Sequence, residues 1–334
     1  MISSIPAEWS PHRAMWVGWP SHGDLWEDNL ERPQAEVEAL VCALAGQGRE
    51  NVKLMVGHPD ALADARARFT GMDGVEVIDS LFGDIWLRDT GPIFGPGSTA
   101  AAAFRFNGWG DKYIYEHDDT VATRIGAASG VPLTRNDFIL EGGALDHDGQ
   151  GTILTTRQCL LNPNRNTDWT EAKAEAALTA SLGARKVIWL GDGLLNDHTD
   201  GHVDNLARFV APGVVACPIG WGRNDPNDHV YDTVARDLSA MTDAEGRRLK
   251  LLRIPSPGFV PDDAGRPVPA SHMNFLIANG AVILPTYGDD RAADLACQAL
   301  ATVFPDREII ALSSIAILSG GGSFHCISQQ EPAQ

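Results

Sequence analysis

The sequence predicts an α/β fold of about five strand-strand-helix-strand units, a repeat or propeller-like architecture, on three observations. Helical stretches recur along the 334 residues. In the clearest units the helix is preceded by two strand-like runs joined through a turn and followed by a single strand-like run. The groups repeat every 50–65 residues, roughly the period of a repeat or propeller architecture. An ordinary doubly wound sheet would instead alternate single strands with helices. If the units close into a ring, residues 1–334 form one domain, and a site lies where strand ends from successive units meet.

The elements follow in chain order. Residues 15–19 read as a strand that pairs with the carboxy-terminal segment. Pro33 opens a helix, which its fixed φ suits, and Val37, Leu40, Val41 and Leu44 hold one apolar face at i, i+3, i+4, i+7 before a strand over 52–56. Strands at 85–94 and 101–106 precede a helix at 118–128. Strands at 138–145 and 152–156 precede a helix at 169–182, capped by Asp168, and a strand at 186–190. The clearest unit has strands at 205–210 and 214–218, a helix at 229–241 and a strand at 250–254. The last repeats it with strands at 273–278 and 281–285, a helix at 290–304 and a strand at 308–312. Asn279-Gly280 favours the left-handed conformations of a two-residue hairpin turn between the paired strands.

Composition narrows the function. A 44% hydrophobic content supports a sizeable core, and 26 Lys+Arg against 44 Asp+Glu leave a net charge of −18. That balance repels nucleic acid and anionic membrane surfaces and attracts cations. No apolar run approaches the ~18 residues of a membrane span, and the first ten residues show no secretory pattern, so a cytoplasmic address is expected. Cys42, Cys159, Cys217, Cys297 and Cys326 are odd in number and dispersed, unlike a disulfide framework or a zinc knuckle.

Four segments carry more polar information than a fold needs. Trp86-Leu87-Arg88-Asp89-Thr90-Gly91-Pro92 places charge inside a strand pattern, where a surface Arg88–Asp89 pair is the plain reading. Glu141-Gly142-Gly143 ends an apolar run with a carboxylate. Asp197-His198-Thr199-Asp200-Gly201-His202-Val203-Asp204-Asn205 is rich in metal-ligand types, with His198, His202 and Asp204 as a candidate set, but Thr199, Asp200 and Gly201 oppose a helix there. As a strand, it would put His202 and Asp204 on one face, an imidazole beside a carboxylate suited to general acid/base work. Gly320-Gly321-Gly322 lets backbone approach a ligand closely, and Cys326 follows in polar company. Cys42, Cys159, Cys217 and Cys297 read as small core residues, whereas Cys326 reads as a nucleophile. Strand alternation would turn its neighbour His325 away and leave His202 as the better partner.

These motifs, with Glu8-Trp9, Leu160-Leu161-Asn162-Pro163-Asn164-Arg165-Asn166, Asn274-Phe275 and Gln329-Gln330, resemble the agmatine deiminases, in the peptidylarginine-deiminase-like branch of the guanidine-modifying enzymes. The resemblance covers nearly the whole chain. It departs from the usual pattern at Ser323-Phe324, Ser328 and Thr167, all flanking positions. It implies the five-bladed pentein fold with a central channel. It also implies Cys326 as nucleophile, His202 as general acid/base, Asp89 and Asp204 as grips on the guanidinium, and Glu141 as support for His202.

A planar guanidinium is held by bidentate carboxylates and attacked perpendicular to its plane, which fits these residue types. Trp86 is a candidate pocket wall, and Gly321 and Gly322 candidate contacts to the substrate. The expected activity is deimination of agmatine with no cofactor and no metal, no nucleic-acid or membrane partner, and a homodimer as the common assembly. Three readings remain beside it: a deiminase of peptidyl or free arginine or another small guanidine, a non-catalytic guanidine- or polyamine-binding protein, and a metal hydrolase. Residues 111–119 and 222–229 are candidate lid loops.

Overall fold

The computed structural model describes residues 2–26 and 29–333. Among these residues the strands form five small sheets, four of three strands and one of four. In each three-stranded sheet the central strand pairs antiparallel with the strand before it and parallel with the strand after it. The parallel pair needs a long return connection, and a helix supplies it. One blade is thus Ile93–Phe94, Ala101–Arg105, helix Val121–Ser129 and Leu133–Ile139. The next is Asp146–His147, Thr152–Thr156, helix Glu171–Leu182 and Lys186–Leu190. Arg208–Ala211, Val214–Ile219, helix Asp228–Ala240 and Lys250–Pro255 follow, then Leu276–Ile277, Ala281–Thr286, helix Asp290–Ala301 and Glu308–Ser313.

The fifth blade takes strands from both ends of the chain and so closes the five-bladed α/β propeller. His12–Trp19 pairs antiparallel with Ser328–Pro332 and parallel with Val52–Val56, as predicted for residues 15–19. Helix Glu31–Ala45 joins the parallel pair and buries Val37, Leu40, Val41 and Leu44, each worth about 1.5–3 kcal/mol of apolar burial. A further helix, Pro59–Arg68, and strand, Val75–Asp79, extend this blade. The sequence reading missed them because no position of Val75–Asp79 is fully buried and its apolar signal is weak.

Other differences have local causes. Thr170, not Asp168, caps helix Glu171–Leu182, accepting from Lys173 N; Asp168 sits in a left-handed turn (φ 62), whereas an N-cap is extended. The 278–281 hairpin forms without left-handed residues at Asn279 or Gly280. Asn279 is instead tied to its neighbours, accepting from His12 N at 2.8 Å and donating its own N–H to Glu50 at 2.8 Å.

The difference that matters most lies at the first strand of each blade. The strands predicted at 85–94, 205–210 and 273–278 begin instead as, or just after, single helical turns: Leu87–Thr90, Val203–Asn205 and His272–Asn274. The strand predicted at 138–145 starts in the end of Leu133–Ile139, the previous blade's last strand, and runs into the turn Gly142–Ala144, so that the first strand of its blade is Asp146–His147. Residues 324–327 form a fifth turn before Ser328–Pro332. Asp, Asn and Gly at these places favour tight turns over extended backbone. The turns knit together at the centre. Gly143 N donates to Asp89 Oδ1 (2.9 Å), Arg88 N to Cys326 O (3.0 Å), His325 N to Asn274 Oδ1 (2.9 Å) and Asn274 Nδ2 to Asn205 Oδ1 (3.1 Å).

Candidate active site

Each of the five turns delivers one part of a buried polar cluster. Asp89 comes from the first, Glu141 and Gly143 from the second, His202 and Asp204 from the third, Asn274 from the fourth and Cys326 from the fifth. Strand alternation therefore does not relate His202 to Asp204. The helical turns bring the predicted residues together by another route. A Cβ on Gly143 would lie 2.6 Å from His202 Nδ1, 2.8 Å from Asp89 Oδ1 and 3.1 Å from Asp204 Oδ2. The missing side chain of Gly143 thus marks where imidazole and both carboxylates converge.

Cys326 stands beside them. Its Sγ accepts from Asn274 Nδ2 at 3.2 Å and its thiol points at Asp204 Oδ2, 3.7 Å away. The turn also overturns the expectation for His325: its Nδ1 lies 2.8 Å from Asp204 Oδ2 and its Nε2 3.2 Å from Glu8. His325 braces Asp204 from behind. Arg88 and Asp89 are not a surface pair, since both are buried; Arg88 donates to His325 O (3.2 Å) and Gln330 Oε1 (2.6 Å).

Trp86 is buried, and its Nε1 donates to Asp84 Oδ2 at 2.7 Å. The glycine run fits closely against it: a Cβ on Gly322 would come 2.5 Å from Trp86 Cζ3 and 3.1 Å from Cys326 Cβ, and one on Gly320 2.5 Å from Trp26 Cη2. Gly321 takes φ 110, a conformation that favours glycine. Trp86 and the glycines thus wall the thiol.

Sequence reasoning missed several supporting groups. Trp109 Nε1 donates to Asp89 Oδ2 at 2.9 Å, and it does so from a left-handed backbone (φ 54) between Gly108 (φ 65) and Gly110 (φ 85). A non-glycine residue held there carries backbone strain of the kind that clusters at functional sites. Arg165 donates to Glu141 Oε1 (2.7 Å) and Asp200 Oδ2 (2.5 Å), and Lys112 reaches Asp200 Oδ1 (2.6 Å). Arg165 and Asn274 belong to motifs visible in the sequence, but nothing local announced their partners.

Cys159, read as a core residue, is buried against the site, with its sulfur and a donor atom each of Glu141 and His202 all within 4.8 Å of one another. Cys42 is exposed rather than core. His198 does not join His202 and Asp204 as the predicted metal set requires; it stacks on Tyr113, whose hydroxyl lies 2.9 Å from its Nδ1. Of the two candidate lids, the 111–119 segment adjoins Trp109, while Trp221, beside the 222–229 segment, is pinned to Asp289 Oδ2 at 2.9 Å.

The electrostatics divide the two aspartates. Burial pushes Asp89 above the usual carboxylate range, only partly offset by His202. Burial also acts on Asp204, but the hydrogen bond and charge of His325, with His202, hold it below that range. His202 is held well above its ordinary value: burial opposes its charge, yet Asp89, contact with Cys159 and Asp204 outweigh it. Burial and the carboxylates of Asp204 and Asp89 push the Cys326 thiol well above its ordinary value. The arrangement is a thiol, an imidazolium and two carboxylates around one point. It suits a planar cation whose arrival offsets the negative field on the thiol.

Comparison with known proteins places this geometry in context. The family described as Porphyromonas-type peptidyl-arginine deiminase matches over residues 4–332. The agmatine deiminase of Ectopseudomonas mendocina is 36% identical over 355 residues, spanning 98% of this chain and 95% of that one. Among solved structures, the agmatine deiminase of Enterococcus faecalis superposes with a TM-score of 0.91 at 32% identity, covering 99% of this chain and 96% of its own. A cysteine-to-serine variant of the C. jejuni agmatine deiminase with substrate bound gives a TM-score of 0.88 at 29% identity, covering 99% and 96%.

Proposed function

We propose an activity from the premise that this chain belongs to the Porphyromonas-type peptidyl-arginine deiminase family: it is an agmatine deiminase, hydrolysing agmatine to N-carbamoylputrescine and ammonia. The observation that carries the reading is the convergence of Asp89, His202 and Asp204 on the gap at Gly143, with the Cys326 thiol against Asp204. The names of the relatives support agmatine as the guanidine.

In this reading Asp89 and Asp204 hold the guanidinium, and its positive charge favours the Cys326 thiolate that the two carboxylates oppose. The thiolate attacks the guanidinium carbon, forming a C–S bond and a tetrahedral adduct. His202, protonated in its raised range, gives its proton to the departing nitrogen; the C–N bond breaks, ammonia leaves and a thiouronium-type intermediate remains on Cys326. Neutral His202 then takes a proton from water as the oxygen bonds to the same carbon; breaking the C–S bond returns the thiolate, the remaining hydroxyl proton passes to solvent, and the urea-type product is released. Glu141, anchored by Arg165, supports His202, and Trp86 with Gly321 and Gly322 lines the approach.

The reading takes residues 1–334 as one catalytic domain. Its five cysteines are free, which suits a reducing, cytoplasmic address, and a homodimer is the common assembly for such an enzyme. Among the described residues no helix is long and apolar enough to cross a membrane.

The test is ammonia release from agmatine, arginine and an arginyl peptide, with Cys326→Ala as the blank. The expected result is the highest kcat/KM for agmatine and none in the variant. A preference for arginine or the peptide would transfer the chemistry to another guanidine, and tight agmatine binding without turnover would indicate a binding protein.

A further inference from the structure

We infer that Glu141, Cys159 and His202 form a site for Zn2+ or a similarly thiophilic divalent cation, and that its occupation stops turnover. The second half of this statement rests on the proposed role of His202; the first does not. The three side chains come from different segments and are all buried, with a sulfur, a ring nitrogen and a carboxylate oxygen mutually within 4.8 Å. Among the described residues Glu141 Oε2 and both ring nitrogens of His202 have no hydrogen-bond partner. Buried polar atoms are nearly always paired, so unpartnered groups around a buried thiol mark a place that a cation can fill once the thiol and the imidazolium give up their protons. Zinc bonds of about 2.0–2.3 Å bring neighbouring ligand atoms closer together than this separation, so a small inward movement completes the contacts.

The backbone already holds two of the ligands in place. Thr156 Oγ1 accepts from Cys159 N at 3.2 Å and donates to Gly201 O at 2.6 Å, fixing the thiol and the residue before His202 to one hydroxyl. Glu141 is held by Arg165 through its other oxygen, at 2.7 Å. One thiolate, one imidazole and one carboxylate suit zinc, cobalt or cadmium, and leave an open coordination position. Calcium and magnesium prefer all-oxygen sites. The thiolate and Glu141 supply two negative charges for a divalent metal, while Arg165 is also paired with Asp200 at 2.5 Å. Binding replaces the S–H bond of Cys159 and the N–H bond of a protonated His202 with bonds to the metal, and both protons pass to solvent. His202, once coordinated, is no longer an imidazolium and cannot act as the acid for the leaving nitrogen.

The test measures binding without turnover. Equilibrium dialysis of ZnCl2 against Cys326→Ala should find one zinc per chain, and Co2+ should show a thiolate charge-transfer band. Adding Cys159→Ser, a replacement of similar size, should abolish the band and weaken zinc binding at least about tenfold. In the otherwise native enzyme, Cys159→Ser should raise the zinc concentration for half-inhibition by the same factor relative to its own zinc-free rate, with circular dichroism as the check on folding. Absence of zinc binding to Cys326→Ala, or unchanged binding after Cys159→Ser, overturns the site. Failure of the parent to release ammonia from agmatine would sink the activity assignment while leaving the binding result standing.

Discussion

Two buried ionic clusters sit at the centre of this propeller, and they are built in opposite ways. Around Arg208 every named group is used: Nε meets Asp146 Oδ2 at 2.6 Å, Nη1 donates to Met273 O (3.1 Å) and Phe275 O (3.0 Å), and Nη2 meets Glu8. Glu8 also accepts from Ile277 N at 2.8 Å and Asp146 from Phe209 N at 2.7 Å. That knot ties the amino-terminal segment to three blades. Around His202, by contrast, Glu141 Oε2, Asp204 Oδ1 and both imidazole nitrogens are left over. Burial costs both clusters desolvation. The saturated one recovers it as fixed structure, while the unsaturated one keeps donors and acceptors in reserve for something that arrives.

Four substitutions would break or sharpen this contrast. Cys326→Ala should lower ammonia release at least about 10⁴-fold, because the route through the covalent intermediate is gone, while urea unfolding stays near that of the parent. Arg208→Leu should do the reverse to stability: it leaves Glu8 and Asp146 buried without their cation, costing about 3–5 kcal/mol in the same unfolding experiment. If Arg208→Leu unfolds as the parent does, the knot is not structural.

Gly143→Ala should reduce kcat/KM by roughly 10²-fold, since the new methyl enters the point shared by Asp89, His202 and Asp204 and displaces reacting groups. Its unfolding midpoint should move much less than that of Arg208→Leu. The smallest expected effect belongs to Asp84, an intermediate case with both oxygens bonded but, among the described residues, no cation paired with it. Burial raises its pKa from 3.8 to about 7, so the native state binds the extra proton in that window and stability falls as pH rises through it. The Tm of Asp84→Asn relative to the parent should therefore rise between about pH 5 and about pH 8. A flat difference would show that Asp84 is not desolvated in the native state.

The repeat and the chemistry were legible in the sequence for different reasons. Apolar spacing in Val37, Leu40, Val41 and Leu44, and the hairpin patterns around residues 211–213 and 279–280, report local burial, so the blades could be read one by one. Asp89, Glu141, His202, Asp204 and Cys326 stood out because charge and a thiol interrupt strand-like or glycine-rich runs. The path from one to the other was misread. Strand alternation does not hold through the turns at Val203–Asn205 and 324–327, which carry too few residues for a period. Trp109, Arg165 and Cys159 were invisible as site residues because their roles exist only across blades; a thiol among Leu and Gln looks like core until the fold sets it beside His202.

The central claim is that the unsaturated cluster performs covalent chemistry at the fifth turn. Rapid acid quench of the protein turning over agmatine, followed by mass spectrometry of its peptides, tests it most directly. The account predicts a thiouronium-type mass gain on the peptide carrying Cys326 that disappears as agmatine is exhausted. Steady ammonia release with Cys326 unmodified throughout, or an adduct carried by Cys159, would contradict it.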